Sequence, residues 1–93
     1  MAVKVLIPST LRTLTGNETT IQMEAEGTVS DMLNRLDTQF PGIGERLRDE
    51  TGEIRRFVNI YVNGDDVRFL DGSATQLKSG DELSIVPAMA GGN

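Results

Sequence analysis

The sequence predicts an α+β domain in which a mixed sheet of four to five strands is covered on one face by one main helix. Three observations carry that expectation. Apolar residues alternate with others in short runs towards both ends of the chain, at Val3, Val5 and Ile7 and again at Leu83 and Ile85. Between them the period changes, and Val29, Met32, Leu33, Leu36 and Phe40 recur at the three- and four-residue spacing of a helix with one apolar face. Turn and breaker residues such as Gly27, Pro41 and Asn63-Gly64 fall between the runs rather than inside them. A length of 93 residues suits one domain with one core.

The first run, Val3 to Ile7, ends at Pro8, whose ring removes a backbone donor. The polar stretch STLRTLTGNE then carries a turn signal at Gly16-Asn17, and Ile21 and Met23 alternate in the TTIQME that follows. These two runs read as neighbouring antiparallel strands. Thr28 is placed to cap a helix with Asp31 three residues on, and Pro41 pushes Phe40 out of helical geometry, which sets the helix at 29–39. In PGIGERLRDETGEIRR, Ile43 and Leu47 can anchor a short helical turn before a loop at Thr51-Gly52, and the stretch reads as a surface excursion. FVNIYVN sets Val58, Ile60 and Val62 on one face and Phe57, Asn59 and Tyr61 on the other, and is the best candidate for a central strand.

Asn63-Gly64 is a two-residue hairpin signal, because both residue types tolerate the positive φ of a type I′ turn. DDVRF returns as a short strand. Leu77 reads as a core plug between turns at Gly72 and Gly80, and LSIVP forms the last strand, with Pro87 tolerated at an edge. A helix between strands in this order crosses one face of the sheet, and a crossover joining parallel strands is right-handed. One domain spans residues 1–87, and 88–93 form a flexible tail.

Composition excludes several function classes. Nine basic against fourteen acidic residues give a net charge of -5, the wrong sign for neutralising nucleic-acid phosphates or an anionic membrane surface. With no cysteine and no histidine, chemistry cannot rest on a thiol, on imidazole as base, or on the commonest metal ligand. The N-terminal run is too short for a signal peptide and no long apolar segment follows, so a cytoplasmic location is expected. The carboxylate pairs Asp65-Asp66 and Asp81-Glu82 sit at turns, where aspartate is favoured for its own hydrogen bonding. Arg46, Arg48, Arg55 and Arg56 alternate with acidic residues, the pattern of a mutually compensating surface.

The end of the chain, Ala88-Met89-Ala90-Gly91-Gly92-Asn93, carries the functional signal. Two glycines without Cβ atoms give the slimmest segment a polypeptide offers, able to thread a narrow slot in another protein. A carboxylate at Gly92 would be a poor electrophile, so acyl transfer would require its prior activation, for example as a mixed anhydride with AMP. The segment follows a strand directly, and so leaves a rigid sheet and not a loose loop.

Here LKSGDELSIVPAMAGG resembles the ThiS/MoaD family of ubiquitin-like sulfur carriers, whose ends share an L-x-x-G-D-x-hydrophobic-x-I-x-P-x-x-x-G-G pattern. LRTLTG, GTVSDMLNRL and FPGI look like the family's pattern as well. RFVNIYVNGDDVRF, with the extra segment at 42–56 before it, looks most like the branch serving cysteine biosynthesis. The resemblance implies a β-grasp fold and a carrier that is not an enzyme and binds no cofactor itself. It implies partners: an E1-like adenylating and sulfurtransferase enzyme using ATP, a pyridoxal-phosphate-dependent cysteine synthase, and a JAMM-class zinc peptidase. Gly92 carries over as the adenylated and sulfur-bearing residue, and Gly91 with it as the threading pair. The family pattern ends on the second glycine, so Asn93 departs from it and is expected to be removed by processing. Phe57, Tyr61, Phe69, Val86, Pro87 and Met89 are candidates for a partner-gripping surface. The same carboxylate would also suit a molybdopterin synthase small subunit, a thiamin carrier, or a modifier forming isopeptide bonds to lysine.

Overall fold

In a computed structural model, which describes residues 2–24 and 27–87, five strands form one mixed sheet. Strands β1 (Ala2–Leu6) and β2 (Thr20–Glu24) precede helix α1 (Val29–Gln39), a short helix α2 (Ile43–Leu47), then β3 (Val58–Val62), β4 (Asp65–Asp66) and β5 (Glu82–Pro87). Their order across the sheet is β2-β1-β5-β3-β4. The pair β1 and β5 is parallel, with Lys4 opposite Glu82 and Leu6 opposite Ser84, and the other neighbours are antiparallel.

The alternation in the strands delivers Val3, Val5, Ile21, Met23, Val58, Ile60, Val62, Leu83 and Ile85 to one buried cluster with Val29, Met32, Leu33 and Leu36 of α1. The four helix residues are each 0% exposed. Burying a side chain of this size contributes about 1.5–3 kcal/mol, so this helix face is a main source of the fold's stability. The helix has the expected bounds and cap: Asp31 N–H donates to Thr28 Oγ1 while Thr28 N–H donates to Asp31 Oδ2 at 3.0 Å. At the other end Phe40, ahead of Pro41, leaves helical geometry with φ -129° and ψ 81°. Asn63 and Gly64 take the positive φ values of 52° and 89° that the tight β3–β4 turn requires.

Three expectations change and one is sharpened. β3 is an interior strand, between β5 and β4, but the middle of the sheet is β5, because the parallel contact with β1 inserts it between the two hairpins. The 42–56 stretch is no mere excursion: Ile43 and Leu47 are buried in the core, and Asp37 of α1 holds α2 by accepting from the Gly44 and Gly42 N–H groups at 2.8 and 3.2 Å. DDVRF is strand only at Asp65–Asp66; Asp66 then caps a 3-10 helix over Val67–Phe69 that turns Val67 into the core. The polar connection after Pro8 is also ordered, as a 3-10 helix over Ser9–Thr15 that buries Leu11. Leu77 is buried as expected.

Candidate functional site

Strand β5 outruns β1. The β1 pairing ends at Leu6 opposite Ser84, whereas β3 follows β5 to its end, with Ile60 opposite Ile85, Asn59 opposite Val86 and Val58 opposite Pro87. The described end of β5 is therefore a two-stranded ribbon with β3. It also explains Pro87 in a strand otherwise central: past the last β1 partner, that side of β5 is locally an edge, where a missing N–H costs no ladder bond. Residues 88–93, with Met89, Gly91, Gly92 and Asn93, lie outside the described residues.

The sheet face away from α1 carries the other half of each alternation. Leu6, Ser84 and Tyr61 stand in one lateral row, and Val86 and Asn59 in the next row towards the end of β5. Val86 is 44% exposed, and Leu6 and Tyr61 are half-buried. Lys4 and Glu82, 3.9 Å apart on the same face, form a solvated ion pair of little energetic weight.

Of the surface candidates, Tyr61 and Val86 thus share the open face. Pro87 falls in the opposite alternation, with Leu83 and Ile85. Phe57 and Phe69 lie outside the strands, before β3 and after β4, and are 54% and 86% exposed. Two apolar positions outside the core were not singled out from the sequence: Leu6, half-buried and out of phase with Val3, Val5 and Ile7, and Leu70, beside Phe69 and 44% exposed. The out-of-phase apolar residue in an alternating strand is the signal that would have found Leu6.

The acidic pairs serve turns. Buried Asp81 accepts from Asn63 Nδ2 at 2.9 Å and from Lys78 N–H at 2.7 Å, locking the β3–β4 turn to the start of β5. Asp66 accepts from Arg68 N–H at 2.8 Å. Two aspartates are held below the ordinary carboxylate range, each by local bonds: Asp31 by the Thr28 N–H and hydroxyl, and Asp49 chiefly by the Thr51 hydroxyl. Among the described residues no group of three or more His, Cys, Asp or Glu side chains could hold a metal ion. In the basic group, Arg48 donates to Asn34 and Arg55 to the Glu45 carbonyl, beside Asp49 and Glu50 on a mixed-charge groove. Among the described residues no helix is long and apolar enough to cross a membrane.

A hairpin, a helix crossing one face, and a last strand inserted parallel to the first define a β-grasp, ubiquitin-like protein. The described end of its last strand borders an open, partly apolar face. The chain belongs to the ThiS family, whose model matches residues 5–92. It is 44% identical over 94 residues to sulfur carrier protein CysO of Mycobacterium tuberculosis, covering 99% of this chain and 100% of that one. It is 39% identical over 71 residues to small archaeal modifier protein 3 of Haloferax volcanii, covering 76% of each. Its fold matches a chain of the Amycolatopsis orientalis BexX/CysO complex with a TM-score of 0.86, at 43% identity over 94% of this chain and 96% of that chain.

Proposed function

We propose that this protein is a sulfur carrier that bears sulfur as a thiocarboxylate on Gly92 and donates it in the biosynthesis of cysteine or a related sulfur amino acid. The observation that carries this reading is the end-to-end likeness to a protein named as a sulfur carrier, 44% identical across 99% of this chain, together with a family match that extends through Gly92. The architecture supports it, since β5 runs from the centre of a stable sheet towards the glycine pair. A chain without cysteine or histidine suits a carrier whose reactive group is its own main-chain carboxylate.

Gly92 is in peptide linkage to Asn93, so hydrolysis of that bond comes first. The freed carboxylate oxygen attacks the α-phosphorus of ATP on an E1-like enzyme, and pyrophosphate leaves. Hydrosulfide then attacks the acyl carbon, a C–S bond replaces the C–O bond to phosphate, and AMP departs. On a pyridoxal-phosphate enzyme the thiocarboxylate sulfur takes the β-carbon of an activated serine as that serine's leaving group departs; the acyl group then passes from sulfur to the amine, and a JAMM-class zinc peptidase hydrolyses the resulting peptide bond, freeing cysteine and the Gly92 carboxylate. Tyr61, Val86 and Leu6 on the open face, with Phe57 and Phe69 beyond the strands, would dock such partners. ATP and pyridoxal phosphate belong to those enzymes.

Intact-mass spectrometry after incubation with the activating enzyme, ATP and sulfide tests the reading. The form ending at Gly92 is expected to exchange one oxygen for one sulfur, and the form retaining Asn93 is expected to be refused. Exchange on the longer form would overturn the processing step; none on either would overturn the carrier reading. The likeness to an archaeal modifier favours one second reading, attachment of Gly92 to lysine, which would show as higher-mass conjugates in lysate.

A further inference from the structure

Resting on the carrier reading, we infer that Arg68 is a positioning residue that fixes the direction in which the chain leaves the sheet. The last three residues of β5 have β3 as their strand partner and have run past β1. The start of β3 is exposed to the same weakness on its other side, because β4 pairs only with Tyr61 and Val62. A two-stranded ribbon is at best marginally stable in water. Arg68 takes the place of the missing outer strand. Its Nη2 donates to the Val58 carbonyl at 2.9 Å and to the Arg56 carbonyl at 3.4 Å, and its Nη1 donates to Asn59 Oδ1 at 2.7 Å.

Val58 and Asn59 are the residues opposite Pro87 and Val86. One planar guanidinium thus stitches the segment that the final two residues of β5 lean on. The fork geometry matters, since three acceptors at fixed separations are satisfied by one rigid donor group. Asp66, whose carboxylate lies 3.9 Å from Nη1, helps hold the head in place. The stitch also occupies carbonyls that would otherwise template a foreign strand.

The test compares Arg68→Met with Arg68→Lys and with Arg35→Met, each ending at Gly92. Arg35 donates to the Glu24 carbonyl at 3.2 Å on the opposite edge of the sheet, and so is a matched control. Amide exchange at Asn59 and Val86 is expected to rise about tenfold in both Arg68 variants, with Val5 and Leu83 unchanged. Steady-state thiocarboxylation by the activating enzyme is expected to show kcat lowered roughly three- to tenfold with KM preserved, because docking survives while fewer bound termini point at the active site. Arg35→Met should alter neither readout. A purely structural role predicts unchanged kcat below the melting temperature, and that result would overturn the proposal, as would unchanged exchange or full rescue by lysine. If wild type accepts no sulfur, the carrier reading fails instead, and exchange at Val86 alone decides whether Arg68 holds the ribbon.

Discussion

Gly44 offers the sharpest check on how the 42–56 segment is held. It is buried, and a Cβ added there would lie 2.8 Å from both Cγ and Oδ1 of Asp37. That carboxylate is not free to swing away without loss, because it accepts from the Gly44 and Gly42 N–H groups at 2.8 and 3.2 Å. Gly44→Ala must therefore displace the group that caps α2. Hydrogen bonds to a charged acceptor contribute about 1.5–3 kcal/mol each, and a partly retained pair sets the expected cost at roughly 2–3 kcal/mol. For a domain of this size that lowers Tm by roughly 10–20 °C. In an Asp37→Ala background the carboxylate is gone and the tight contact left is with the Cβ of residue 37 at 3.1 Å, which must give by a few tenths of an ångström, so the same substitution should cost less, about 1 kcal/mol. Urea unfolding of the four proteins gives an expected coupling of about 1–2 kcal/mol. Additive costs would refute the reasoning, since the glycine requirement would then arise elsewhere than at the carboxylate.

Two further outcomes follow from named groups. Asp31 has its carboxyl held below the ordinary range by the Thr28 amide and hydroxyl, so its contribution is fully present above the unfolded aspartate pKa and is lost as pH falls through the lower folded value. Asp31→Asn keeps an acceptor but cannot titrate; it should lower neutral-pH stability and flatten the acid limb of a Tm-against-pH curve, and an unchanged limb would contradict the cap's role. Val86→Glu places a charge on the open face at a site 44% exposed, so stability should change by no more than about 0.5 kcal/mol. Thiocarboxylation of Gly92 should nevertheless slow at least tenfold through a raised KM, and unaltered kinetics would remove the open face from the docking surface.

Local chemistry was readable from the sequence and non-local pairing was not. The bounds of α1 follow from Thr28, Asp31 and Pro41, all within a few residues of the ends they set. The Asn63-Gly64 turn is likewise fixed by its own backbone preferences. The parallel contact of β1 with β5 joins residues about eighty positions apart, and nothing in the period of either strand says which neighbour it takes; the hydrophobic density of β3 made it look central. Helix α2, at five residues, is too short to establish a period, so Ile43 and Leu47 read as anchors of a turn and their full burial went unseen. In DDVRF the Asp66 cap competes with the ladder and wins after two residues. For the site, Tyr61 and Val86 were legible as the members of alternating strands that face away from the core, whereas the ribbon at the end of β5 needed the unequal reach of β1 and β3.

That β5 lies between β1 and β3 has a mechanical side. On the carrier reading, a partner drawing on the chain beyond Pro87 would load β5, whose ladder bonds to β3 along its length and to β1 as far as Ser84 run across the strand axis. A pull along that axis would be shared as shear among many bonds at once rather than peeling them one by one, so the sheet would act as an anchor that stays folded under load.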